Sequence, residues 1–245
     1  KNNKSIKEKN LWSTKGQGEK ITYYRAFNGI DEAQYVAREI KNLINKGIEY
    51  ENIAVLYRTN AQSHTIEEEL LKSSIPYRIV GGVGFYSRKE IKDVLAYLRL
   101  IYNERDNISL LRVINTPKRG IGNKTIANLI EKSNELNKSI YEVIESGREL
   151  EFKNLIEGLK EYSKSVTITE LVDRVLDVTG IKKEYEDEKS LESDIRLENL
   201  EELKTVTRTF EEKEGIVSLE DFLLEVSLVT DVTEYNDDKN RVSLM

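Results

Sequence analysis

The sequence predicts two differently built parts, a parallel α/β layer followed by an all-helical region. Strand-like and helix-like segments alternate over residues 1–80, and such alternation is typical of a parallel sheet covered by helices. After Gly81-Gly82, the apolar residues keep helical spacing almost to the end of the chain. With 245 residues, the chain is long enough for one large domain or two ordinary ones.

Three strands and two helices are predicted for the α/β layer. β-Branched and aromatic residues predict a first strand over Ile21 to Ala26. Asp31 is expected to cap a helix that has an apolar stripe at 3.6-residue spacing and ends at Gly47. Residues 53–56 are apolar without alternation, as expected of a strand covered on both faces. The remaining elements are a helix over residues 65–72 and a strand over residues 75–80.

The region after residue 80 is predicted to be helical throughout. One apolar stripe begins near Lys89 and a second near Ile126. Ser218 and Asp221 are spaced as in a capping box at the start of a late helix. Further helices are predicted over residues 152–162, 171–178, 197–210 and 219–228.

The composition excludes several classes of protein. There are 38 basic and 44 acidic side chains, so a nucleic-acid surface must be a local patch on an acidic body. With no cysteine and one histidine, His64, neither disulfides nor a metal site are expected. No apolar run approaches the roughly 20 residues that span a bilayer, and we expect a cytoplasmic protein without a membrane partner. The acidic run Glu67-Glu68-Glu69 is expected to be a solvated helix face.

The segment from Lys15 to Lys20 has the composition of a phosphate-binding loop but not its spacing. A Walker A loop needs four residues between its glycines, then Lys-Ser/Thr, and it joins a strand to a helix. Here one residue separates the glycines and a strand is predicted to follow, so a surface turn is the better interpretation. We therefore expect no catalytic residue and no bound cofactor in this chain.

Polar residues follow the second predicted strand where it leads into a helix. Ligands of open α/β sheets collect outside the carboxyl ends of the strands, and a helix N-terminus offers N–H groups to phosphate. From spacing alone, an ordinary loop with polar caps is the better interpretation. The candidate contacts are Arg58, Thr59, Asn60, Ser63 and His64.

A glycine-containing turn lies in a stretch without acidic residues, from Asn107 to Ile130. Its two glycines allow close approach to the backbone, and a helix begins directly afterwards. This arrangement suits a duplex phosphate backbone, although an ordinary helix–helix turn explains the pattern equally well. The candidate contacts are Thr116, Lys118, Arg119, Gly120, Ile121, Gly122, Lys124 and Thr125.

Four segments occur together in a specific order: IAVLYRTNAQS at 53–63, IPYRIVGG at 75–82, FYSRKEIKDVLAYLR at 85–99 and VINTPKRGIG at 113–122. They resemble the UvrD/PcrA family of superfamily 1A DNA helicases, and the resemblance covers nearly the whole chain. It implies a 3′-to-5′ ATP-dependent DNA translocase of repair and replication. DNA is then a partner, and ATP and Mg²⁺ are cofactors of the parent enzyme.

The resemblance also implies a domain organisation. Residues 1–80 match the first part of a RecA-like motor domain called 2A, and residues 81–240 match its helical 2B insertion. Residues 241–245 match the strand that returns to 2A. The chain is then expected to be a fragment without the Walker motifs, in which 2B moves as a rigid body about Gly81-Gly82. Repair or replication proteins are expected partners of 2B.

Individual residues acquire roles from the same resemblance. Arg58, Asn60 and Ser63 match the motif that contacts single-stranded DNA. His64 stands where the family usually has arginine, which removes a permanent charge. Residues 116–125 match the Gly-Ile-Gly element that touches duplex DNA. The 2A–2B junction is matched by Gly81, Gly82, Arg88 and Lys92.

Two other interpretations stay open at the level of sequence. One is a non-catalytic DNA-binding or protein-interaction module, and the other is a related helicase–nuclease subunit, which the uninterrupted NAQS and GIG motifs disfavour. A Walker A motif about one domain upstream would support the helicase. A start codon directly before Lys1 and a stop codon after Met245 would support the module.

Overall fold

The computed structural model describes residues 14, 16–58, 62–214, 218–234 and 240–245. These residues form ten α-helices and three strands. The helices are α1 (Gly29–Asn45), α2 (Ser63–Lys72), α3 (Lys89–Tyr102), α4 (Asn107–Val113), α5 (Asn123–Leu136), α6 (Gly147–Ser163), α7 (Ile168–Thr179), α8 (Ile181–Glu188), α9 (Leu191–Glu214) and α10 (Leu219–Glu234). The strands are β1 (Ala54–Val55), β2 (Tyr77–Ile79) and β3 (Val242–Leu244). In the part of the chain described, no helix is both long and apolar enough to cross a membrane.

The three strands form one parallel sheet whose central strand comes from the end of the chain. The strand order is β1-β3-β2, and Ser243 of β3 lies opposite both Ala54 and Arg78. The side chains of Val242 and Leu244 are completely buried, because they pack on one face of the sheet among the apolar residues of α1 and α2. The predicted parallel α/β layer followed by helices is confirmed in outline, although β1 and β2 pair with β3 and not with each other.

The predicted strand over Ile21 to Ala26 is wrong. This segment has no regular secondary structure, and Ile21 and Tyr23 are 99% and 85% exposed. A strand needs a neighbour for its backbone N–H and C=O groups, and no strand of the described sheet lies beside this segment. Residues 16–20, predicted as a surface turn, are also exposed and irregular, while Lys15 lies outside the described residues.

The cap of α1 also differs from the prediction. Asn28 is the N-cap, and its side chain accepts a 2.9 Å hydrogen bond from the Asp31 N–H. Asp31 is the third helical residue, and its carboxylate accepts from the Phe27 N–H at 3.0 Å. Asp31 therefore stabilises the chain entering α1 without being the cap.

The described residues form two separate hydrophobic cores. The smaller core takes its buried residues from 33–75 and 242–244, and the larger core takes them from 85–226. Helix α3 is central to the larger core and contacts α4, α6, α9 and α10. We refer to the two parts as the α/β layer and the helical region. The domain boundaries at residues 80 and 240 stay a prediction.

The later helices follow the predicted pattern. Helices α6, α7, α9 and α10 cover the four predicted ranges, while α4 and α8 are additional short helices. The Ser218 and Asp221 capping box is confirmed, because each side chain accepts from the backbone N–H of the other residue at 3.1–3.2 Å.

Candidate nucleic-acid interface

The turn between α4 and α5, which we call the Gly-Ile-Gly turn, is shaped by its own side chains. Asn115 Oδ1 accepts hydrogen bonds from the N–H groups of Arg119 (2.7 Å) and Ile121 (3.3 Å). The Ile121 side chain is buried in the larger core. Gly120 has φ of +72°, a backbone conformation that favours glycine. The turn therefore has a defined conformation, stabilised by the Asn115 hydrogen bonds and by the buried Ile121 side chain.

Arg119 folds inward under this turn. Its Nη2 donates to the Tyr97 hydroxyl at 2.7 Å and to the Thr179 carbonyl at 3.3 Å. Its guanidinium also lies over the rings of Tyr97 and Phe152, 5.9 and 5.5 Å from their centroids. Nη1 donates to the carbonyl of Val113 at the end of α4 and to the carbonyls of Thr116 and Pro117 in the turn, at 3.0–3.2 Å. These contacts make Arg119 a structural support, so the structure gives no support to its predicted phosphate contact.

Three other cations surround the turn with exposed side chains: Lys118, Lys124 and Arg148. Sequence reasoning missed Arg148, which lies in the first turn of α6. Its Nη1 donates to the carbonyl of Gly120 at 3.3 Å, across 28 positions of sequence. No local motif identifies this residue, because only the packing of α6 against the larger core brings it to the turn.

The start of α5 faces open space. Gly122 is the N-cap and has no side chain that accepts from the first N–H groups, and the first helical turn has no acidic residue. A Cβ added at Gly122 would meet no atom within 4 Å, whereas a Cβ at Gly120 would collide with the Arg148 guanidinium. The two glycines therefore differ: Gly120 is needed by the fold, and Gly122 leaves the helix start accessible.

The two threonines predicted as duplex contacts are half-buried. Thr116 Oγ1 donates to the Arg112 carbonyl at 3.1 Å. Thr125 lies in the first turn of α5, next to Lys124. The predicted duplex-contact residues are thus brought together in one turn, but they face different ways.

The predicted single-strand contacts are not brought together among the described residues. Arg58 is exposed, and its backbone N–H donates to Gln62 Oε1 at 3.0 Å. Ser63 and His64 are 0% and 4% exposed, so in this structure neither side chain is accessible to a phosphate. Thr59 and Asn60 lie outside the described residues.

Arg88 crosses the junction between the α/β layer and the helical region. Its Nη2 donates to Ser63 Oγ of α2 at 2.8 Å, and its Nη1 donates to Asn199 Oδ1 of α9 at 2.7 Å. Ser63 in turn donates to Glu67 Oε1 at 2.7 Å, and Asn199 donates to Glu90 Oε1 at 2.6 Å. We call these five residues the junction network. All are buried, and burial lowers the pKa of Arg88.

The junction network corrects one prediction about an acidic run. Glu67 is not on a solvated helix face but is 6% exposed, with burial raising its pKa. The three other residues predicted for the junction, Gly81, Gly82 and Lys92, are exposed. Gly81 has φ of +79°, which glycine adopts readily.

His64 lies beside the junction network among aromatic rings. Its Nε2 is 3.2 Å from the Tyr86 hydroxyl, and its ring meets Phe85 edge-on at a centroid distance of 4.4 Å. Burial lowers the pKa of His64 to about 4, so the imidazole is neutral at neutral pH. The described residues contain no group of three or more His, Asp or Glu side chains that could hold a metal ion.

Comparison with known proteins identifies the family. The model of the UvrD-like helicase C-terminal domain matches residues 1–245. The chain belongs to this family. It is 42% identical over 258 aligned residues to the ATP-dependent DNA helicase PcrA of Staphylococcus aureus, and 41% identical to that of Staphylococcus epidermidis. Each alignment covers 100% of this chain and 35% of the relative, so this UvrD-like domain spans about a third of the length of these relatives.

Proposed function

We propose that this UvrD-like domain holds DNA within an ATP-dependent DNA helicase, with ATP and Mg²⁺ as cofactors bound by other parts of that enzyme. The names of its relatives support the helicase. One observation supports the DNA contact: three exposed cations, Lys118, Lys124 and Arg148, surround an uncapped helix start at Gly122. We infer that this surface grips the phosphate backbone of a duplex.

The physical basis is electrostatic attraction without base recognition. Phosphate oxygens accept hydrogen bonds from exposed cations and from the N–H groups of a helix N-terminus, and such contacts position a protein on DNA without reading sequence. Gly122 leaves room for a DNA backbone, since a Cβ added at this position would meet no atom within 4 Å. Arg119 contributes indirectly, because its hydrogen bonds to the Thr116 carbonyl and the Tyr97 hydroxyl stabilise the conformation of the turn.

Single-stranded DNA is the second proposed ligand of this domain, in the helicase context. Arg58 supports this proposal because it is exposed directly after β1, beyond the carboxyl end of a parallel strand. Thr59 and Asn60 are proposed to share the contact. Ser63 and His64 are assigned to the junction, because both are buried there.

The proposal is tested by titrating a short fluorescent duplex over a range of salt concentrations. Lys124→Ala and Arg148→Ala should each lower the magnitude of the log-affinity versus log-salt slope by about 1. Gly122→Val should weaken binding without changing the slope as much, because it adds bulk and removes no charge. Lys46→Ala is the matched control, since it removes an exposed lysine at the end of α1 in the α/β layer.

A slope unchanged in both charge variants, together with unchanged affinity in Gly122→Val, would show that the turn is only a connection between helices. DNA-stimulated ATP hydrolysis is a separate measurement. The chain contains no Walker A pattern, so we expect this domain alone to hydrolyse no ATP. Turnover that persists after repurification would contradict that part of the proposal.

A further inference from the structure

A cavity of about 540 Å³ lies between the α/β layer and the helical region. Helices α1 and α2 line one side of it, and α9 and α10 line the other. Its apolar surface includes Ala33 of α1, Phe210 of α9, and Phe222 and Val226 of α10. A cavity of this size with aromatic walls is suited to a small organic molecule.

The charged lining of this cavity is mostly acidic. Four carboxylates, those of Glu68, Glu69, Glu202 and Glu225, face one ammonium group, that of Lys72. Lys72 is already paired with Glu68 at 3.3 Å. Among the described residues, no lysine or arginine lies within 4 Å of the Glu202 or Glu225 carboxylate. The cavity therefore has an excess of negative charge on the side of α9 and α10.

His64 lies between two of these carboxylates, one from each side of the cavity. Its Nε2 is 3.7 Å from Glu68 Oε1, and its Nδ1 is 3.8 Å from Glu202 Oε1. With a pKa lowered to about 4 by burial, His64 supplies no positive charge at neutral pH. Burial also raises the pKa of Glu202, and the neighbouring Glu68 adds to this effect. Glu68 is paired with Lys72, and the cation that acts on Glu202, Arg88, is itself hydrogen-bonded to Ser63 and Asn199.

We propose that the cavity binds an organic cation with an apolar body, of the aryl-alkyl ammonium class. The ammonium group lies near Glu202 and Glu225, where negative charge is in excess, and the aromatic ring packs against Phe210 and Phe222. Because the walls come from both the α/β layer and the helical region, the bound cation contacts both and restrains their relative movement. This site is separate from the Gly-Ile-Gly turn, and the proposal does not depend on DNA binding.

The probe is phenylbutylammonium, and its matched neutral control is phenylbutanol. Calorimetric titration of the protein at neutral pH should show the ammonium binding at least about tenfold more tightly than the alcohol. The double variant Glu202→Gln, Glu225→Gln should abolish this preference while leaving the alcohol affinity unchanged. Glu198→Gln is the matched variant control, because Glu198 is an exposed carboxylate of α9 outside the cavity lining.

A second variant locates the binding. Thr209 lines the cavity but is itself exposed, so Thr209→Phe should fill the space without disturbing a core and should weaken both ligands. Far-UV circular dichroism checks each fold, and Glu225→Gln alone replaces the double variant if the latter does not fold. Equal affinity for ammonium and alcohol would overturn the proposal. So would a preference that survives loss of the carboxylates, or binding that Thr209→Phe leaves unchanged.

Discussion

The junction network and the Gly-Ile-Gly turn both contain cations that the sequence predicts to be functional. They differ in burial, since some of these cations are enclosed by the protein and others are exposed to solvent. At the junction, Arg88 is buried and donates to side chains of α2 and α9. At the turn, Lys118 and Lys124 are exposed, while Arg119 between them folds inward. The difference shows that the burial of a charged group, more than its position in a motif, decides whether it stabilises the fold or is available to a ligand.

The largest expected effect comes from Arg88→Ala. Removing the guanidinium removes its hydrogen bonds to Ser63 and Asn199 and takes away a positive charge near the Glu67 carboxylate. Removing one partner from a buried charged network destabilises proteins by about 3 to 5 kcal/mol. Urea unfolding followed by circular dichroism measures the change. Lys92→Ala, an exposed cation one turn further along α3, is the control and should alter stability by less than about 0.5 kcal/mol.

A small loss in Arg88→Ala, comparable to that of the Lys92 control, would contradict the structural interpretation of the junction. The strength of the junction network also affects movement about the predicted hinge at Gly81-Gly82. A strong junction network opposes rotation of the helical region, because that rotation must break the contacts of Arg88 with α2 or with α9. Solution scattering of Arg88→Ala against the wild type tests whether the two parts then adopt additional orientations.

The next effect is a pH dependence that originates at His64. Burial lowers its pKa to about 4 from the ordinary value near 6.5. The unfolded chain therefore binds a proton at a higher pH than the folded protein does. The stability that neutral His64 confers is fully present above pH 6.5 and is lost as the pH falls towards 4, by about 3 kcal/mol over that window.

His64→Gln separates this loss from that of the carboxylates, because glutamine does not titrate. The difference in unfolding free energy between wild type and variant should shrink as the pH falls from 7 to 4.5. His64 is the only histidine in the sequence, so its imidazole proton resonances report the pKa directly by NMR. A measured pKa near 6.5 would show that this side chain is solvated.

Much of the fold could be predicted from local patterns, but the neighbours in the sheet could not. Apolar runs located β1 and β2, and helical spacing located the helices of the second region. The strand between β1 and β2 lies far away in sequence, with Ser243 and Arg78 separated by 165 positions. The segment Ile21 to Ala26 is the reverse case. Its residue types predict a strand, but no strand of the described sheet pairs with it.

The candidate site, too, could be predicted only in part from local patterns. Two glycines in an acid-free stretch identified the Gly-Ile-Gly turn correctly as an exposed turn before a helix. The orientation of Arg119 depends on Tyr97 and Phe152, and the presence of Arg148 depends on the packing of α6. These are tertiary contacts that no local spacing contains. Burial of Ser63 and His64 likewise follows from the helical region lying against α2.

Arg119→Ala should have a moderate effect on stability and little effect on the salt dependence of DNA binding. Loss of its hydrogen bonds to the turn carbonyls and the Tyr97 hydroxyl should lower the unfolding free energy by about 2 to 3 kcal/mol. The salt slope of duplex binding should change by less than that of an exposed cation. A slope reduced by about 1 with unchanged stability would mean that Arg119 turns outward to bind phosphate in solution.

Lys118→Ala is the matched partner of that variant and has the smallest expected effect on stability. Lys118 precedes Arg119 directly, but its side chain is exposed. Its removal should change the unfolding free energy by less than about 0.5 kcal/mol and lower the magnitude of the salt slope by about 1. Measured on the same two assays, the two neighbours should therefore give opposite results. If both variants lose stability, or if both lose slope, then burial does not separate the structural from the ligand-facing cations in this turn.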